Sequence, residues 1–235
     1  MAIRVESSPK RVRAFFGGVA VADSDAMVLV WEGPHYPTYY FPTADVRLDL
    51  LQDAGETRHS TSRGDARLFT VAVGDRHAVG VAARYLDSPM EELRELVRFD
   101  WDAMDEWMEE DEPVYTHARD PYTRIDVLGS SRHVTVALNG VVLAESRQPR
   151  LLFETGLPVR YYLPLPDVRL DRLRPSPTVT HCPYKGAATY WSAVVDDTVT
   201  EDVAWMYRYP LPESQKIAGL VCFYPDRTTI SVTPA

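Results

Sequence analysis

The reactive side chains of this 235-residue chain gather in one short run, Thr180-His181-Cys182-Pro183-Tyr184-Lys185-Gly186. An imidazole with an ordinary pKa of about 6.5 exchanges protons at neutral pH, which makes His181 a candidate general acid or base. Cys182 is a candidate nucleophile, its thiolate favoured by the charge of Lys185. Tyr184 carries a phenol proton, and Lys185 can instead pair an anionic substrate group. Glu201 and Asp202, which follow a predicted hairpin turn, can bring a carboxylate to the same place. Tyr184, Tyr190, Trp191 and Trp205 suffice for an aromatic box around a planar or cationic ligand. Each group also has a plainer reading: a structural histidine, an inert buried thiol, a solvated lysine, an exposed strand end, or rings packed in a core. Neighbours in an extended strand point to opposite faces, so His181 would serve Cys182 only if Pro183 bends the loop.

These candidates belong to the second of two related halves. Shifted by about 120 residues, the chain matches itself without gaps over most of a domain. Gly18-Val19 falls on Gly140-Val141, Glu32 on Glu154, and Tyr39-Tyr40-Phe41-Pro42 on Tyr161-Tyr162-Leu163-Pro164. Asp45-Val46-Arg47-Leu48-Asp49 falls on Asp167-Val168-Arg169-Leu170-Asp171. Glu154 and Tyr161 join Tyr190, Trp191 and Trp205 as candidate ligand-binding residues. Because Glu154, Tyr161, Arg169 and Asp171 all have counterparts in the first half, structure is their first explanation. Where the halves differ, the second is richer in reactive groups. Arg58-His59-Ser60-Thr61-Ser62-Arg63-Gly64 stands against the Cys182 loop, Val79-Gly80-Val81-Ala82-Ala83 against Glu201-Asp202-Val203-Ala204-Trp205, and Leu68-Phe69 against Tyr190-Trp191.

Mainly β structure must position these groups. Asn139-Gly140 lies between the alternating runs His133–Leu138 and Val141–Glu145, a strong hairpin signal because both turn residues tolerate positive φ. Gly17-Gly18 occupies the same point in the first half. Further strands are predicted at 151–154 and 220–224, with a second hairpin at Asp196-Asp197 and at Gly74-Asp75. One short helix is predicted per copy. The first starts at the capping box Ser88-Pro89-Met90-Glu91 and continues through Leu93, Leu96 and Val97; the second spans 211–218 and stops at Gly219. The resulting divisions are 11–108 for the first repeat, 109–123 for an acidic, proline-containing linker and junction, and 124–235 for the second repeat.

Composition removes several functions. A net charge of −9 argues against nucleic-acid binding and against a membrane surface. No apolar run approaches the roughly 20 residues that span a bilayer. Cys182 and Cys222, the only two cysteines, make no metal-type pair, and with no apolar leader they fit a cytoplasmic protein with reduced thiols. No phosphate-binding glycine loop, nucleophile elbow or zinc-protease helix motif occurs.

At Cys182-Pro183-Tyr184-Lys185-Gly186, Glu201 to Trp205, and the ending Ile217-Ala218-Gly219 to Phe223-Tyr224, the chain resembles bacterial domain-of-unknown-function family 427, in a two-domain version. The first half departs from both motifs. The resemblance implies a tandem duplication of a small antiparallel β-tent (Mss4-like) domain holding a small molecule in an aromatic-lined concavity, often beside a structural zinc. Because this sequence lacks the zinc cysteines, a version without metal or cofactor is expected. Two functions follow as expectations. The first is a small-molecule enzyme or binding protein with one main pocket in the second repeat. Its catalytic candidates are His181, Cys182, Tyr184, Lys185, Glu201 and Asp202, and its chemistry that of an isomerase, cyclase or lyase. The second is a non-catalytic interaction scaffold. A small-molecule ligand and a second copy of the chain are the partners this reading allows.

Overall fold

Period-two burial builds the second repeat. In His133–Leu138, Val134, Val136 and Leu138 are buried and the residues between them are half exposed. Asn139 and Gly140 take φ of 51° and 82°, and the chain returns as Val141–Ser146. This backbone matches the twist of the flanking strands, which is why the pair Asn-Gly closes the hairpin. Thr229–Thr233 pairs on the other side of His133–Leu138 and completes a three-stranded sheet.

The computed structural model describes residues 3–234. In the second repeat a seven-stranded sheet runs in the order Ile125–Gly129, Arg150–Glu154, Arg160–Leu163, Val221–Phe223, Thr198–Tyr207, Gly186–Val195, Leu173–Cys182. Every pairing is antiparallel. Val134, Val136 and Leu143 of the small sheet pack with Leu163, Ala193, Ala204, Met206, Val221 and Phe223 of the large one, so one core fills the space between the sheets. A second apolar cluster, with Leu152, Tyr162, Tyr190, Trp205 and Tyr207, lies apart from it, and Ile217 packs there.

The first repeat has the same strand order: Arg4–Ser7, Val28–Trp31, Thr38–Pro42, Leu96–Phe99, Arg76–Arg84, Gly64–Val73, Leu51–Ser60. The chain is thus a mainly β tandem duplication, and the division between two compact units falls after Asp120. The acidic run expected as a linker is folded. Glu106–Glu109 pairs with Val12–Phe16 and turns into Glu112–Pro113 at the edge of the small sheet. The Glu109 side chain is buried, accepting from the Tyr39 hydroxyl at 2.6 Å and from Lys10 at 2.7 Å. Paired in this way a carboxylate can be buried, which its acidic neighbours in the sequence do not reveal.

The helices are shorter than their signals. Ser88 Oγ does accept the Met90 N–H at 3.0 Å, but the turn covers only Glu91–Leu93 and is of the 3-10 kind. Leu96 and Val97, read as a helical stripe, are strand residues paired with Pro42 and Phe41. Tertiary pairing overrides local preference here. In the second repeat the 3-10 segment is Pro212–Ile217, and Gly219 follows at φ 70° with its N–H on the Tyr207 carbonyl at 3.0 Å. Among the described residues no helix is long and apolar enough to cross a membrane.

Candidate functional site

The two faces of the second repeat's large sheet sort the candidate residues. Across four adjacent strands Tyr190 stands opposite Trp205, Trp205 opposite Cys222, and Cys222 opposite Tyr162. Alternation places this row on the face turned away from the small sheet. Trp205 Nε1 donates to the Tyr162 hydroxyl at 3.3 Å. The Tyr190 hydroxyl lies 2.8 Å from Thr180 Oγ1 and 3.3 Å from the Tyr224 hydroxyl. The Tyr224 ring packs on Trp205 with centroids 4.4 Å apart, and Arg160 lies over the Trp205 ring.

Lys185 enters from the hairpin loop that closes Cys182 against Gly186. Its ammonium donates to Glu154 Oε2 at 2.5 Å, and both side chains are almost wholly buried. Burial pushes the hydroxyls of Tyr162 and Tyr207 well above the ordinary phenol range, and the Cys222 thiol up to about 12. Cys222 is therefore a protonated core thiol. Cys182, half buried, belongs with the same aromatic cluster.

Other candidates are directed elsewhere. Tyr161 and Trp191 pack against the core between the sheets. His181 is exposed and pairs with Ala187, one residue out of phase with Cys182, so imidazole and thiol leave the strand on opposite faces. Tyr184 is half buried in the loop, where its carbonyl accepts the Ser214 hydroxyl at 3.4 Å. Glu201 and Asp202 occupy a bulge opposite Ser192. Glu201 accepts from Arg174 at 2.9 Å and from Ser192 at 2.6 Å, and Asp202 accepts from Thr178 at 2.8 Å. Arg227 donates to both their carbonyls. Asp202 has φ of 50°, where the first repeat has Gly80 at 67°. The pair thus holds a bulge together, and of the eleven candidates Glu154, Cys182, Lys185, Tyr190 and Trp205 are the ones the outer cluster brings together.

A hollow of about 480 Å³ opens beside a second irregularity. Between Pro175, paired with Trp191, and Val179, paired with Thr189, the residues Ser176-Pro177-Thr178 bulge opposite Tyr190. Proline has no N–H for the ladder, so Pro175 and Pro177 are tolerated at this gap. The first repeat opens at the matching place, between Asp53 and Thr57, without proline, so the bulge belongs to the fold. Pro175, Ala187, Thr189, Tyr190 and Trp191 line the hollow, together with Arg208 and Tyr209. Among the described residues Arg208 is its one charged side chain, and Tyr209 is 84 % exposed. The first repeat has a hollow of about 430 Å³ at the matching place, where Asp53, Asp65, Arg67, Leu86 and Asp87 stand for Pro175, Ala187, Thr189, Arg208 and Tyr209. There Arg67 is ion-paired to Asp53.

Sequence reasoning missed Tyr162, Tyr207, Tyr224 and Cys222 in the cluster and Arg208 and Tyr209 at the hollow. The last two carry a usable signal, since they replace Leu86 and Asp87 between the repeats. Among the described residues no three His, Cys, Asp or Glu side chains are grouped to hold a metal ion. A family model described as domain of unknown function (DUF427) matches residues 4–110 and again residues 126–233. No curated protein matches the chain.

Proposed function

Since the chain belongs to the DUF427 family in both halves, we propose that its second repeat binds a small planar anion in the hollow beside the 176–178 bulge. The observation that carries this reading is the contrast between the two matching hollows. In the first repeat, charges of both signs line the space and Arg67 is spent on Asp53. In the second, uncharged groups stand in their places, and a single guanidinium, Arg208, standing where the first repeat has Leu86, has no carboxylate in the described lining. An apolar concavity with one or a few polar groups is the usual form of a small-molecule site. Trp191, on the same sheet face as Ala187 and Thr189, supplies the aromatic wall, and a guanidinium matches a carboxylate through two parallel N–H donors.

Binding is better supported than turnover. His181, Cys182, Tyr184, Lys185, Glu201 and Asp202, the groups suited to acid–base or nucleophilic work, are absent from the lining of the hollow. The exposure of Tyr209 and Val179 near it supports a second reading, a contact surface for a partner protein.

Calorimetric titration with 2-naphthoate separates the two. Saturable one-to-one binding is expected, weakened about tenfold in Arg208→Ala, the scale of one charge-assisted hydrogen bond at a half-open site. Naphthoate binding that is absent from the wild-type chain, or unchanged in Arg208→Ala, would leave the contact-surface reading.

A further inference from the structure

The first repeat has a hollow of its own with the opposite charge. Trp101, in the turn that follows Leu96–Phe99, stacks on Trp107 with ring centroids 4.6 Å apart and planes within 7°. Trp107 is core, packed on Tyr39 and Phe41 with its Nε1 donating to the Trp101 carbonyl at 3.0 Å. Trp101 is only half buried. Its ring, with Tyr115 and Pro113, lines a space of about 470 Å³ that also takes in Asp102, Asp105 and Glu106.

Among the described residues no basic side chain lines this space. Asp105 is neutralised by Arg76 at 2.6 and 2.7 Å, and it also accepts the Gly17 N–H. Asp102 and Glu106 are exposed and have no cation against them among the described residues. The second repeat lacks the arrangement: by register Ile230 stands where Trp107 does, and Pro225 follows Tyr224 where Trp101 follows Asp100. A stack of indoles in a core needs no carboxylate rim. A half-open indole beside two unneutralised carboxylates is the pattern that holds an organic cation, attracted by the ring quadrupole and by the charges at once.

We propose that this hollow is a separate binding site for a small alkylammonium cation, with Trp101 as its aromatic wall and Asp102 and Glu106 as its counter-charges. The site is independent of the anion site in the second repeat.

Titration of the ¹⁵N-labelled full chain with tetramethylammonium chloride tests it, with sodium chloride as the ionic control. The Trp101 indole N–H signal should move saturably with the first salt and not with the second. The double variant D102N/E106Q, altered only at the surface, should bind at least tenfold more weakly, and Trp101→Leu should not bind. Arg208→Ala should bind as the wild type does, so failure of the anion site leaves this test intact. Equal shifts with both salts, or unchanged affinity in D102N/E106Q, would overturn the proposal even if Trp101→Leu does not fold. So would a hollow that ignores tetramethylammonium and accepts only a lysine-bearing peptide.

Discussion

Removing one member of the Glu154–Lys185 pair strands the other charge among aromatic rings. Two buried charges at 2.5 Å repay their desolvation only together, so Lys185→Met should cost about 3–5 kcal/mol in a urea unfolding curve. Glu154→Leu combined with Lys185→Met should cost less than Lys185→Met alone; a double variant that is the less stable of the two would show that the pair is not acting as a pair. The thiols make a second prediction. With Cys222 held up to about 12 from an ordinary value of 9.0, iodoacetamide at pH 8 should label the folded chain at Cys182 and spare Cys222. The same shift fixes a pH dependence. Between about pH 9 and 12 the unfolded thiol has lost a proton that the folded one keeps, so stability falls as pH rises through that window. The raised phenols of Tyr162 and Tyr207 act in the same direction above pH 10. Urea midpoints at pH 8 and pH 10 should show the fall, and Cys222→Ala should reduce it; a midpoint that climbs with pH contradicts the burial argument. Which tyrosine reaches the cluster was not legible beforehand. Tyr161 and Tyr162 are adjacent and alike, and only the pairing of Tyr162 with Cys222 decides which one faces outward.

Both repeats carry the same two bulges in the large sheet, and the residues placed at them differ. Asp202 lies at positive φ where the first repeat uses Gly80, and an L side chain branched at Cβ fits that region badly. Asp202→Val should therefore destabilise by about 1–3 kcal/mol, whereas Asp202→Gly, which loses only the Thr178 contact, should cost less; thermal melts of the two variants rank them. A valine tolerated as well as glycine would mean that the bulge is not held in this shape. Strands and hairpins were legible because alternation and Asn-Gly act locally. The bulges were not, although Pro175-Ser176-Pro177 marks one of them for a reader who asks where a strand loses its N–H donors. The helical stripe Leu93, Leu96, Val97 misled for the complementary reason: residues three and four apart also fit a turn followed by a strand, and pairing with Thr38–Pro42 wins.

For the whole chain, duplication followed by divergence accounts for more than any single motif. Both repeats keep the same strand order, and each keeps a hollow at the bulge in its large sheet. The first lines it with opposed charges, the second with rings and one arginine. The richness of the second repeat in reactive groups was legible in the sequence, but their convergence was not, because His181, Tyr161 and Trp191 leave the sheet on the opposite face from Cys182, Trp205 and Glu154. The most direct measurement is an amide and indole ¹H–¹⁵N spectrum of the full chain titrated with 2-naphthoate. Shifts should centre on Ala187 to Trp191 and on Arg208-Tyr209, with the matching Asp53, Asp65 and Arg67 signals unmoved. Shifts centred on the first repeat's hollow, or spread without a centre, would contradict a working site in the second.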